Sequence, residues 1–254
     1  MEIIPLGVGS AFARTLENTN FLIKTGDGVP FLLDCGHTAT RSMERLGFDM
    51  KGIDNILLSH LHADHISGLE EMGFTGLFIW GRKINLHAPK PLLEFLWPKS
   101  LDGGMGQRLK SRSGGFYEAR LETYFTVNAL GARKKFSIGC VEITPFSTPH
   151  IPGRPSFGYA MHDTLTGGRA MFTCDSMLSM KNLRNHGQSA DVIFHDCQLD
   201  GSAEGIHTVL GDLLTVPDDY KKKILLVHYG DEWVDYRDRT GGMVFAEQHK
   251  SYVF

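Results

Sequence analysis

The run Ser59-His-Leu-His-Ala-Asp-His65 constrains this chain more than any other stretch. It places His60, His62, Asp64 and His65 within six positions, directly after Ile56, Leu57 and Leu58, which read as a buried strand. Three imidazoles and a carboxylate in one loop at a strand end suit a borderline divalent metal such as zinc. Histidines scattered through a sequence are usually surface residues or hydrogen-bonded core residues. That account fits one histidine well, and fits three with an aspartate among them poorly.

Candidates for further ligands sit at other strand ends. Short apolar runs predict strands at 2–6, 20–24, 30–34, 55–59, 83–88, 141–145, 157–161, 169–174, 191–194 and 223–227. Asp34 follows Phe31-Leu-Leu, His150 closes Thr144-Pro-Phe-Ser-Thr-Pro, Asp175 follows Ala170-Met-Phe-Thr-Cys, and His228 follows Ile224-Leu-Leu-Val. A polar residue after a strand is ordinary; four metal-type residues in that position beside the 60–65 cluster form a pattern. Helical spacing (Ala39, Met43, Leu46) covers 38–46 and stops at Gly47. A second helix is expected to start at Asp64, whose carboxylate favours a helix start, and to run to Met72. Shorter helices are expected at 91–97, 178–186 and 208–215. Strand-rich halves with interspersed helices imply packed sheets covered by helices on their outer faces.

Residues 101–119 differ in character. Gly103, Gly104, Gly106, Gly114 and Gly115 alternate with Arg108, Lys110 and Arg112, and Phe116, Tyr117, Tyr124 and Phe125 overlap or follow. This 101–125 stretch reads as a lid-like insertion or as a solvated surface hairpin.

Composition narrows the function. The 254 residues are 42% hydrophobic, enough for a large core, and carry 26 basic against 29 acidic side chains for a net charge of −3. No pervasive basic field exists to hold long nucleic acid by its phosphates, whereas a small anion held by metals remains compatible. Cys35, Cys140, Cys174 and Cys197 form no CxxC pair, so disulfide scaffolding is not expected and a reducing cytoplasm is. The first residues resemble neither a signal peptide nor a membrane span.

Taken in order, Asp34, then His60-x-His62-x-Asp64-His65, then His150, Asp175 and His228 resemble the pattern of metallo-β-lactamase-fold hydrolases across nearly the whole chain. The resemblance implies an α/β architecture, an αββα sandwich forming a single domain over 1–254. It implies two divalent metal ions, zinc foremost, with manganese and iron also suited. One would take His60, His62 and His150, the other Asp64, His65 and His228, with Asp175 bridging and Asp34 orienting a ligand histidine. No Cys or Glu replaces a ligand, which disfavours the lactamases with a Cys ligand and the di-iron oxidoreductases. His150 followed by Ser156-Phe-Gly-Tyr159 resembles a segment of tRNase Z-type phosphodiesterases. Phe194-His-Asp-Cys197 and Gly205-Ile-His207-Thr208 resemble that subfamily's later motifs, with Asp196 where Glu is usual and Cys197 where Ala is.

By that resemblance the catalytic groups are His207, which would serve the leaving oxygen, Asp196, which would hold it, and Asp64. Ser156, Phe116, Tyr117 and Tyr124 become substrate contacts, the aromatics as stacking surfaces, in cis or across a dimer. His195 reads equally well as a packed strand-end residue. His37, His87, His162, His186 and His249 read as structural. The long basic arm of the tRNA-processing enzymes is missing. The chain is therefore most similar to the small anti-Pycsar cyclic-nucleotide phosphodiesterases, viral or bacterial homodimers that destroy immune signals. The expected substrates are cyclic mononucleotides (cyclic CMP, UMP, AMP or GMP), opened to 5′-monophosphates. The rivals are a tRNA 3′-processing endonuclease, a lactonase or thioester hydrolase of the same fold, and a metal-bound sensor without turnover.

Overall fold

The short apolar runs pair into two large sheets. The computed structural model describes residues 1–111, 113–200 and 205–254; Arg112 of the glycine-rich stretch lies outside them. In chain order the strands are β1 (Glu2–Gly7), β2 (Asn20–Lys24), β3 (Pro30–Leu33), β4 (Asn55–Leu57), β5 (Ile84–Pro89), β6 (Arg108–Lys110), β7 (Phe116–Glu118), β8 (Phe125–Leu130), β9 (Phe136–Ile138), β10 (Val141–Ser147), β11 (Phe157–Asp163), β12 (Arg169–Phe172), β13 (Val192–Asp196), β14 (Ile224–Val227), β15 (Val244–Phe245) and β16 (Tyr252–Val253). The first sheet is ordered β16-β1-β2-β3-β4-β5-β8 and the second β15-β14-β13-β12-β11-β10-β9.

Each sheet is antiparallel through four strands and parallel through the rest. In the first, β3, β4, β5 and β8 run parallel; in the second, β12, β13, β14 and β15 do. Parallel neighbours need a crossover, and helices supply it. Helix α1 (Ala39–Arg45) links β3 to β4, while α2 (Ala63–Ile66) and α3 (Gly68–Phe74) link β4 to β5. The sheets meet through aromatic rings: Phe21 of β2 lies edge-on to Phe172 of β12 and Phe194 of β13, with centroids 5.0 and 5.1 Å away. The result is one α/β domain.

Two expectations need correction, and the 101–125 stretch contains the surface hairpin that is one of its two readings. The helix expected from Asp64 to Met72 is two segments meeting at Ser67, and it starts one residue earlier. His62, extended at φ −74° and ψ 151°, precedes the first turn, so Asp64 lies inside that turn rather than capping it. The strands β8 and β9 escape an apolar-run criterion because β8 ends its sheet with half-exposed positions and β9 has three residues. The 101–125 stretch is a short helix (Asp102–Met105), an exposed β6–β7 hairpin and a second short helix (Leu121–Tyr124), pinned at its ends by buried Leu101, Met105 and Leu121. Among the described residues, no helix is long and apolar enough to cross a membrane.

Candidate metal centre

The C-terminal ends of the parallel strands converge on one cleft, the usual ligand position in open α/β sheets. Asp34 follows β3, the 59–65 loop follows β4, Asp175 follows β12, Asp196 ends β13 and His228 follows β14. Backbone strain collects there. Four described non-glycine residues have positive φ, and three of them are Asp34 (63°), Cys174 (49°) and His228 (64°), next to or within the site.

The 59–65 loop is held from below. Cys35 N donates to His65 O (2.8 Å), Gly68 N to Cys35 O (2.9 Å), and Asn20 Nδ2 to Asp64 O (3.2 Å). A Cβ on Gly36 would lie 1.8 Å from Asp64 O, so only glycine lets the two backbones pass. The second sheet closes on the same loop, with Phe157 N donating to Ser59 O (3.0 Å) and the Tyr159 hydroxyl to Leu58 O (2.5 Å).

Hydrogen bonds then aim the imidazoles. His65 Nδ1–H donates to Asp34 Oδ2 (2.8 Å), which leaves Nε2 facing Asp64 Oδ2 (3.2 Å) and Asp175 Oδ1 (3.3 Å). His60 Nδ1–H reaches the Ser59 hydroxyl (3.0 Å), which donates to Asp34 Oδ2 (2.5 Å), so Asp34 orients two histidines. His150 Nδ1–H donates to Ile206 O (2.7 Å), leaving Nε2 beside His62 Nδ1 (3.3 Å). Asp175 Oδ2 lies 3.4 Å from His60 Nε2 and 3.3 Å from His228 Nε2.

Four overlapping ligand-type groups result among the described residues, and the two largest are His60-His62-His150-Asp175 and Asp64-His65-Asp175-His228, each with ligand atoms within 4.8 Å of one another. Asp175 belongs to both. His60 Nε2, Asp64 Oδ2, His65 Nε2 and both Asp175 oxygens are buried without a hydrogen-bond partner. Buried polar atoms left so are costly, and a cation would satisfy all of them. Ligands 2.0–2.1 Å from a tetrahedral ion stand about 3.3 Å apart, which is the spacing found here. The donor set therefore fits divalent ions.

Charge agrees with that reading. Burial opposes ionisation of Asp64 and Asp175, but the surrounding histidines outweigh it and hold both carboxyls below their ordinary range. Burial, with the nearby His60 and His150 charges, pushes His62 down to about 4, the neutral form a ligand needs.

Beside the cluster, His207 Nδ1–H donates to Asp196 Oδ2 (2.8 Å), which also accepts from Ser176 N (2.8 Å). Burial disfavours the His207 cation, yet the Asp196 bond and charge, with Asp175 and Asp64, raise its pKa to about 9. Its ring stacks on His228 with centroids 5.0 Å apart and meets His150 edge-on at 4.9 Å. A cleft of about 790 Å³ opens above, with His62, Asp64, Asp175, His207 and His228 in its wall.

A family model described as anti-Pycsar protein Apyc1 matches residues 1–252. The chain belongs to the anti-Pycsar protein Apyc1 family. An Apyc1 of Paenibacillus sp. (strain J14) is 36% identical over 98% of this chain and 97% of its own length. One of Bacillus phage vB_BveM-Goe7 is 34% identical over 99% of this chain and 98% of its own. The metallo-β-lactamase fold protein YhfI from Bacillus subtilis superposes with a TM-score of 0.75 at 16% identity, covering 99% of this chain and 98% of that one, so the fold is shared.

In this Apyc1-family chain the expected substrate contacts divide between buried and exposed positions. Tyr124 is fully buried and its hydroxyl donates to Met105 O (2.8 Å), so it packs rather than stacks on a ligand. Ser156 is buried, accepting from Thr148 Oγ1 (2.9 Å) and facing Asp175 O (3.4 Å), a scaffold position beneath the cluster. Phe116 and Tyr117 are exposed on the β6–β7 hairpin, and no described residue of 101–125 lines the cleft. His195 is buried in β13 with Nδ1 on Asp196 O (2.8 Å). His87 stacks on Phe136, His186 on Phe146, and His249 meets Ser42, all outside the ligand groups. Sequence reasoning missed Ser59 and Asn20, which hold the ligand loop, and Phe12, which lines the cleft. The signal for Phe12 was an aromatic inside the glycine-punctuated turn after β1.

Proposed function

We propose that this chain hydrolyses 3′,5′-cyclic mononucleotides to 5′-nucleoside monophosphates, cyclic CMP and UMP foremost and cyclic AMP and GMP as well. Within an anti-Pycsar family, that activity would remove the nucleotide signals of anti-phage defence. The observation that carries the reading is His207, held by the buried Asp196 in the wall of the same cleft as the two ligand groups.

Two divalent ions held by His60, His62, His150, Asp175, Asp64, His65 and His228, zinc foremost, would supply the charge that acidifies an attacking water and neutralises a phosphate. The protein's own groups do the rest. Asp34 keeps His60 and His65 in one tautomer. Asp196 fixes the His207 ring, whose proton passes to the 3′ oxygen as the P–O3′ bond breaks. Water adds its oxygen to phosphorus and gives up a proton to solvent, from which the ring recovers its own. The partner we propose is a second copy of the chain, with Phe116 and Tyr117 of the exposed hairpin offered to it. A reducing cytoplasm suits the cysteines, all four of which are free thiols.

The test is a panel of cyclic CMP, UMP, AMP and GMP, precursor tRNA and a lactone, each with and without chelator. Chelator-sensitive release of 5′-monophosphates supports the reading. Intact cyclic nucleotides beside a cleaved tRNA or an opened lactone would replace it with the corresponding rival. Sedimentation of the purified protein tests the dimer.

A further inference from the structure

We propose that Phe12 is the surface on which the nucleobase stacks. The inference rests on reading the cleft as a nucleotide site, and it names the part of the chain that holds the base. Phe12 is 86% exposed, more than any other large apolar residue described. With so little of the ring covered, it gains the protein little core stability. It nonetheless lines the cleft that holds His62, Asp64, Asp175, His207 and His228, with Ala11, Leu199 and Ile206 as further apolar wall. An exposed ring is an unfavourable thing to keep at the mouth of a polar site unless a flat apolar partner covers it.

The turn bearing Phe12 is clamped on both flanks, which a stacking platform requires. Ser10 N donates to Tyr229 O (3.0 Å), Ala13 N to Ser10 O (3.2 Å), and Gly9 N to Glu17 O (2.8 Å). On the far side, Asp231 accepts from Arg14 N (2.7 Å), Thr15 N (3.0 Å) and the Thr15 hydroxyl (2.7 Å). Asp231 follows β14 of the second sheet, while the turn follows β1 of the first. Asp231 is thus a positioning residue that ties the ring to the sheet carrying His228. Stacking needs only a π-face, so one aromatic here accepts purine and pyrimidine alike.

The experiment is equilibrium binding to the zinc-loaded protein of 5′-AMP, which carries a base, and ribose 5-phosphate, which does not. The wild type is expected to bind AMP about tenfold more tightly, Phe12→Ala to erase the preference, and Phe12→Tyr to keep it. Asp231→Ala should shrink the preference while sparing ribose 5-phosphate. Equal affinities in the wild type, binding of neither phosphate, or an unchanged ratio in Phe12→Ala overturns the proposal. Because Phe12 is exposed, Phe12→Ala should melt like the wild type, which a thermal scan checks. Cyclic AMP left intact by the wild type would defeat the hydrolytic reading, and the binding ratio would still decide the role of Phe12.

Discussion

Asp163 and Asp175 sit at opposite ends of the β12 hairpin region, both buried, both joining the two sheets, and their oxygens are treated in opposite ways. At the far end, Asp163 accepts from Gly26 N (2.6 Å), Leu165 N (2.9 Å), Thr166 N (3.0 Å) and Cys140 Sγ (3.2 Å). Gly26 lies between β2 and β3, so this carboxylate stitches the first sheet to the second. At the cleft, both Asp175 oxygens are buried with no hydrogen bond and face histidine nitrogens. Burial of a charge therefore does not mark function in this molecule. Burial without hydrogen-bond donors, among ligand-type histidine nitrogens, is what points to a cation here.

The widest separation should come from Asp175→Asn. It removes the one group shared by both ligand sets, so metal content should fall below one ion per chain and cyclic-nucleotide turnover by about 10⁴-fold. Melting of the metal-stripped protein should fall as well, since His228, His65 and His60 lose the counter-charge that holds the Asp175 carboxyl below its ordinary range. Elemental analysis beside thermal scans checks both, and retained metal at wild-type levels would break the contrast. His207→Ala comes next, with a kcat loss of about 10³-fold at unchanged metal content. A diester with a nitrophenolate leaving group needs no proton and should be nearly spared. An equal loss on both substrates would mean that His207 only shapes the cleft. Asp34→Ala is intermediate in kind as well as in size. Its oxygens are fully used, but two of the groups they orient are candidate ligands. Metal affinity should drop about 10- to 100-fold, read by competition with a chromogenic chelator.

How far this contrast can be read from sequence depends on the residue. The 60–65 cluster is legible because its members share one loop. His150, Asp175 and His228 are legible because each directly follows an apolar strand, a position that the sheet order turns into proximity. Ser59 and Asn20 are not, because a hydroxyl or amide that holds a ligand loop looks like any other until its partner is placed. Phe12 and Tyr124 fail for another reason. Both are aromatics near glycines, and only packing separates the ring that is 86% exposed at the cleft from the one whose hydroxyl is spent on Met105 O. The two strands missed at 125–130 and 136–138 form an edge and a short flank, where burial on one face leaves no apolar run.

Asp163→Asn is expected to change activity least and to test the stabilising end alone. Burial works against the Asp163 charge, but the bonds from Thr166 N, Cys140, Gly26 N and Leu165 N outweigh it and hold the carboxyl well below its ordinary range. A carboxyl with a folded pKa below its unfolded value, about 3.9, contributes stability that is complete above that unfolded value. That contribution drains away as pH falls toward the folded pKa. The asparagine keeps the shape, adds a donor where only acceptors fit, and loses the charge-assisted bonds. Stability should fall by about 3 kcal/mol from pH 5 to 8, with kcat and metal content within about twofold of wild type. Below about pH 4 the two proteins should converge, because the wild type alone is losing a contribution. Urea unfolding of chelated protein across pH 2 to 8 measures the gap free of metal binding. A gap that stays constant to pH 2 would mean that Asp163 acts through shape and not charge. A loss of metal in Asp163→Asn would mean that the two ends of the sandwich are coupled, and the contrast with Asp175 would fail.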